Sequence, residues 1–360
     1  MIEKMRTDLD YRDPKHRWEG FDMFYRYMLE THEWSPDIVL ERWLLDDMNA
    51  DFEMRCTMAF FHGATHAGPV ESAFAVTFPT VTADIIPEMT EWYVKYKKKL
   101  IFSPDCKYRK IVFEKFLKSV GDSLTTTLGD YIKKSFTVGT DIENYNDLKD
   151  RCMNDWFHWG RMGHWSFVEA MVGMTDAPLE APDMEFATGK SHRSGWAFAI
   201  GRDDLVDTDD ISKDDMAMLE RTAKEYVESV DHPNANFLNF ETCCCNYKRQ
   251  HKGTRYAGCY TDEQELETEE ARHLMPEFGW LWDKYMQARP HVLPHSVLAE
   301  MNPEQWETPS AYVASMNKAL SNYGRIPRAE AWHNKTPQFW TEVENQPFAR
   351  TSAAVTDLLF

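Results

Sequence analysis

The spacing of its apolar residues constrains this chain's fold more than anything else in it. Trp18, Phe21, Phe24, Tyr25, Met28 and Leu29 recur at steps of three and four, which puts them on one stripe of an α-helix. A helical reading also suits Ile38–Met48, Phe52–Phe61, Thr82–Lys98, Lys107–Lys118, Thr127–Phe136, Tyr145–Trp156, His164–Val172, Asn236–Gln250, Glu263–Leu274, Trp280–Gln287 and Pro309–Leu320. Ser35-Pro36-Asp37 and Ser212-Lys213-Asp214-Asp215 are helix starts, the latter leading to about Val230; Gly63 reads as a helix stop. The alternation of a half-buried strand is not found, and short strand pieces are expected only near Tyr256–Tyr260. The chain is therefore expected to be mainly α, a multi-helix globular protein with few or no strands. Residues 1–290 are expected to form one helical catalytic domain, with room for two lobes split near 140–150. Residues 291–360 are expected to be a helical or irregular extension, polar and Pro-punctuated after Leu320.

Composition narrows the function. The net charge of −19 argues against a protein that coats nucleic acid non-specifically, since phosphate is repelled at long range. The charge is uneven, however. Glu91–Lys118 holds nine Lys or Arg against three acids, whereas Asp262–Glu277 holds seven acids against Arg272 alone. Lys97, Lys98, Lys99, Arg109 and Lys110 are thus candidates for a polyanion-facing surface. Seven cysteines, odd in number and irregularly spaced, fit reduced thiols of a cytoplasm better than a disulfide framework. No apolar run reaches membrane-spanning length, and the charged Met1–Arg12 is unlike a signal peptide.

Several chemistries fall away on inspection. Gly189-Lys190-Ser191 imitates the end of a phosphate-binding loop, but position 184 is Met where that loop needs Gly, and a Pro-containing loop precedes it. A dinucleotide fingerprint, a nucleophile elbow and zinc-type cysteine pairs are missing. Charges and aromatics concentrate instead between Asn154 and Asp204, at junctions of apolar segments. Arg161 lies between Gly160 and Gly163, and Arg193 and Arg202 flank Ser194–Ile200. Arginine forks suit phosphate and carboxylate. Asp203 and Asp204 are candidates for a general base or for Mg²⁺ ligands, and His192 and His164 for proton carriers. Glu241 and Lys248, seven apart, share a helix face, and Arg255 adds a cation. His62 and Thr65, in the turn before Gly68-Pro69, are candidate substrate contacts; His62 with His66 makes a weak helical zinc pattern.

Phe61-His62-Gly63-Ala64-Thr65, Gly68-Pro69, Gly160-Arg161, Trp165-Ser166-Phe167, Ser191-His192-Arg193-Ser194-Gly195, Gly201-Arg202-Asp203-Asp204, Glu241-Thr242 and Tyr247-Lys248 occur in an order that resembles the bacteriophage amino acid:DNA transferases. This family includes the α-glutamyl- and putrescinyl-thymine pyrophosphorylase-like enzymes of thymine hypermodification. The resemblance spans Trp18 to Trp282. It implies a helical fold akin to DNA glycosylases, acting in the host cytoplasm during infection. The partners would be double-stranded phage DNA carrying pyrophosphorylated 5-hydroxymethyluracil and a free amino acid or amine, with no membrane. The amino acid would displace pyrophosphate from the exocyclic methylene, either by direct substitution or by elimination followed by addition. Arginines, or Mg²⁺, would neutralise the leaving group; no other cofactor and no resident metal is implied. Trp159 and Trp165 would wall a flipped base. Two alternatives remain: a glycosylase-like base-excision enzyme, and a non-catalytic DNA- or virion-associated binding protein.

Overall fold

A computed structural model describes residues 13–97, 100, 112–251, 259–289, 293, 298–302, 315, 318 and 319. Its elements are α1 (Pro14–Thr31), α2 (Pro36–Asp47), α3 (Phe52–Thr65), α4 (Gly68–Thr77), α5 (Ile86–Tyr96), α6 (Phe113–Ser123), α7 (Leu128–Lys133), α8 (Asp141–Asp155), α9 (Arg161–Thr175), α10 (Lys190–Ala199), α11 (Lys213–Ser229), α12 (Phe237–His251), α13 (Cys259–Leu274) and α14 (Gly279–Ala288), with short 3₁₀ turns between some of them. The one extended pairing among the described residues is an isolated bridge between Thr82 and Thr127. No described helix is long and apolar enough to cross a membrane.

The chain divides into two compact units, each assembled from separated segments. One draws on residues 1–36, 183–265 and 290–360, the other on 37–182 and 266–289. The stretch 140–150 therefore lies inside the second unit, in α8. The first unit is built on α1, which lays Phe21 and Tyr25 against Phe240 and Tyr226, with Trp196 edge-on to Phe21 and Phe240. The second is built on α3. Phe60 lies parallel to Phe116 and Trp159, and Trp156 meets both Phe60 and Trp159 edge-on, the pairing that ring quadrupoles favour.

Local chemistry sets several helix ends. Asp51 accepts from Met54 N, Ser212 from Asp215 N, and Thr140 with Glu143 forms a reciprocal capping box. Two expectations are corrected. Gly63 does not end α3, which runs on to Thr65; a Cβ at Gly63 would sit 2.6 Å from the Gly163 carbonyl oxygen and 2.6 Å from Phe167 Cβ. The glycine is there to let α9 close on α3. Likewise α9 starts at Arg161 rather than His164, because Gly160 caps it without a side-chain bond and so leaves no sequence mark. Of the expected helix over 107–118, residues 107–111 fall outside the described residues, and α6 begins at Phe113. Of the strand pieces expected near 256–260, residues 256–258 lie outside the described residues and Cys259 and Tyr260 instead open α13; most of the helix expected over 309–320 also lies outside them.

Candidate active site

In the first unit, α10 and α12 cross at Gly195, where an added Cβ would stand 1.9 Å from the Cys244 carbonyl oxygen. That contact brings the α10 imidazole onto the α12 carboxylate. His192 is fully buried and stacked on Phe186; its Nε2 lies 2.7 Å from the Met184 carbonyl and its Nδ1 3.0 Å from Glu241 Oε1. A carbonyl can only accept, so Nε2 donates, and Nδ1 shares a proton with the carboxylate. Glu241, with 15% of its side chain exposed, is the outward member of the pair. Cys245 follows one turn later, with its sulfur within 4.8 Å of the His192 and Glu241 ligand atoms. Lys248, seven residues after Glu241, is nearly buried and donates to Asp207 at 2.7 Å. A carboxylate, a thiol and an ammonium thus lie along one face of α12.

The second unit holds another His–Glu pair. His62 on α3 has Nδ1 2.9 Å from Glu71 Oε2 and 3.6 Å from Asp37 Oδ2. The other Glu71 oxygen accepts from Ala67 N at 2.7 Å and from the Thr65 hydroxyl at 3.4 Å. Burial alone would push the His62 imidazole down, but Glu71, Asp37 and Glu169 together override it and lift the pKa to about 10. Glu41 of α2 is wholly buried beside them and accepts from Tyr285 at 3.0 Å and from Ser72 at 3.3 Å. Burial, then the Glu71 and Asp37 charges, push its carboxyl well above the usual range. A helix start free of a side chain makes room here: a Cβ at Gly68 would lie 3.2 Å from Glu41 Oε1 and 3.4 Å from the Tyr285 hydroxyl.

A family model described as amino acid:DNA transferase matches residues 29–256, well over half of the 360. The chain belongs to the amino acid:DNA transferase family. It is also similar to a serinyltransferase of Salmonella phage ViI, 26% identical over 341 residues that cover 84% of this chain and 81% of the relative. No solved structure matches it. The protein is thus a transferase that joins an amino acid to DNA, and the two clusters are weighed for that chemistry.

The structure sorts this transferase's candidate residues sharply. His192, Glu241 and Lys248 come together, as do His62 and Thr65. Arg193, by contrast, is buried, with its guanidinium donating to the Phe186 and Thr208 carbonyls at 2.8 and 3.0 Å; it fastens two loops rather than offering a fork to phosphate. Arg202 is held by Asp204 through two bonds of 2.8 and 2.7 Å and by Asp215 at 2.8 Å, an exposed network at the start of α11. Those bonds keep Asp204 ionised below the usual carboxylate range, which makes it a poor base. Asp203 bonds to Arg17, whose guanidinium also lies 3.8 Å over the Phe198 ring. Arg161, at the first position of α9, lies over Trp165. Trp159 and Trp165 are core mass, 5% and 3% exposed, and neither presents a face to an extruded base. Lys97 lies 3.7 Å from Glu114; Lys98, Lys99, Arg109, Lys110 and Arg255 fall outside the described residues.

His164 leaves the set of proton carriers. Its ring is fully buried between Tyr145 and Phe167, no partner among the described residues reaches either nitrogen, and burial with the nearby Lys149 charge depresses its pKa to about 3. From the ordinary 6.5 down to about 3, the unfolded chain binds a proton that the folded chain refuses. Stability therefore falls as pH drops through that window. Between pH 6.5 and 5 this one group costs about 2 kcal/mol, at ~1.4 kcal/mol per unit. Melting of the wild type and of His164→Leu across pH 5–7.5 checks it: the variant should lose that much less stability on acidification, and parallel curves would refute the assignment.

Residues missed in the sequence are Glu41, Glu71, Ser72 and Tyr285 in one unit and Arg17, Asp207 and Cys245 in the other. A signal existed for two of them. Glu41 stands between Ile38-Val39-Leu40 and Trp43-Leu44-Leu45, and Glu71 between Val70 and the Ala73–Val76 run. A carboxylate in an apolar helix must find partners inside the protein.

Proposed function

We propose that the protein joins an amino acid to pyrophosphorylated 5-hydroxymethyluracil in phage DNA, releasing pyrophosphate and leaving a hypermodified thymine. The reaction would take place in the cytoplasm of the infected host. Family membership supplies the reaction class, and the observation that carries the site is the His192–Glu241 pair on the same α12 face as Lys248. Glu241 takes the proton of the attacking amine or hydroxyl, and His192 fixes the carboxylate and shares the charge. A new C–N or C–O bond forms at the exocyclic methylene as the C–O bond to pyrophosphate breaks, and the electron pair leaves with pyrophosphate. Lys248, bonded to Asp207 at 2.7 Å, would have to turn from that carboxylate to offset the charge that grows on the leaving group. Cations of the Lys97–Lys118 stretch are proposed for the duplex backbone.

The phage ViI relative makes serine the first amino acid to try. The purified protein is incubated with DNA carrying the pyrophosphorylated base and with serine, then with each other amino acid and with polyamines. Expected are free pyrophosphate and a heavier thymidine analogue by mass spectrometry. Neither product with any donor overturns the reading, and alkali-labile abasic sites in their place would favour base excision.

A further inference from the structure

The second unit buries a cluster of carboxyls that its own described side chains only partly partner. Glu41 and Glu71 are wholly buried and Asp37 lies beside them, yet among the described residues neither glutamate pairs with a lysine or arginine. His62 is the one cationic partner shown for Glu71. Glu41 Oε1 is served by Tyr285 and Ser72, whereas no donor reaches Oε2. An oxygen this deeply buried and this unserved is costly unless something positive meets it.

We propose that Glu41, His62 and Glu71, with Asp37 at the margin, bind one divalent transition-metal ion of the Zn²⁺ or Mn²⁺ kind. Ligand atoms of the first three lie within 4.8 Å of one another. Around such an ion, with bonds of about 2.1 Å, neighbouring ligands stand roughly 3 Å apart at right angles and roughly 3.4 Å apart in a tetrahedron. The 2.9 Å from His62 Nδ1 to Glu71 Oε2 and the 3.6 Å to Asp37 Oδ2 straddle those edges. One nitrogen among carboxylate oxygens is a donor set for borderline cations rather than for soft ones. Tyr285 and Ser72, bonded to Glu41 and to each other, orient the ligand from behind. The site would be structural, supporting the neighbouring α3–α9 crossing; its ligands are not the residues to which the transfer chemistry is assigned.

The test reads metal rather than turnover. The full-length protein, purified without chelator, is analysed by inductively coupled plasma mass spectrometry and by thermal melting before and after EDTA, with Zn²⁺, Mn²⁺ or Mg²⁺ added back. One transition-metal ion per chain is expected, with a fall in Tm on chelation that Zn²⁺ or Mn²⁺ restores. Glu41→Gln and His62→Asn should each lower the metal content at least tenfold, while Glu241→Gln should leave it unchanged. If Glu41→Gln does not fold, His62→Asn and the chelation melt of the wild type decide. A wild type with no ion and no Tm response to any of the three metals overturns the proposal in favour of a shared proton. Metal lost in Glu241→Gln but kept in His62→Asn overturns it too, by moving the ion to the other cluster.

Discussion

Replacing Glu241 with Gln should lower turnover by about 10²- to 10⁴-fold, the usual contribution of a positioned general base, while Tm stays close to wild type. The amide keeps the shape of the side chain and can still bond to His192 Nδ1, which sits 3.0 Å from the carboxylate. What it cannot do is receive the nucleophile's proton. Because 15% of the Glu241 side chain is exposed against 1% for His192, the carboxylate and not the imidazole is the member a bound amino acid meets. His192→Asn should therefore act indirectly, with a smaller loss in turnover and an altered pH profile. Asp204→Asn is the matching control. Its carboxylate is spent on Arg202 at the surface, so turnover should stay within about threefold of wild type. Single-turnover assays by mass spectrometry of the product nucleoside separate these outcomes. A wild-type rate for Glu241→Gln, or a large loss for Asp204→Asn, would sink the assignment of the base.

The second large effect concerns the scaffold. Gly195→Ala should destabilise the first unit by about 3 kcal/mol or more, since the new methyl would lie 1.9 Å from a backbone oxygen that cannot rotate away. For a unit of this size that is a fall in Tm of roughly 6–12 °C. The companion is Gly279→Ala at the start of α14, where an added Cβ meets nothing within 4 Å and the change should be near neutral. Equal melting of the two variants would show that α10 and α12 are not held at the separation described. The same substitution should also lower activity, because spreading those helices draws His192 from Glu241.

Much of the fold could be read from local pattern. Helical periodicity located most of the elements, and Ser212 caps α11 as its sequence suggests. The pattern failed where a tertiary contact overruled a local rule. Gly63 reads as a breaker in isolation, yet the approach of α9 repays a glycine inside α3. Of the candidate site, His62, His192, Glu241 and Lys248 stood out in the sequence, the last two by a spacing that gives them a common helix face, whereas His164 stood out equally and is core. The site was illegible in its arginines. Whether a guanidinium awaits a phosphate or is already committed depends on partners far along the chain: the Thr208 carbonyl for Arg193, Asp215 for Arg202. Glu41 and Glu71 were hidden differently, as single acids inside helices that otherwise read as core.

The interleaving of the two units has a consequence for synthesis on the ribosome. The first unit opens with α1 but cannot seat Phe21 against Phe240, or His192 against Glu241, until α12 has emerged. The second gains α2 to α9 in one run, yet Glu41 lacks the nearer of its two hydroxyl partners until Tyr285 arrives. The first polar cluster is complete only when about 250 residues have been made and the second only at about 285, even though the second's earliest members, Asp37 and Glu41, are made among the first fifty. Buried acids must wait in an unfinished helical scaffold while most of the polypeptide is still to come. Chains released early should therefore be substrates for proteolysis rather than partly active fragments.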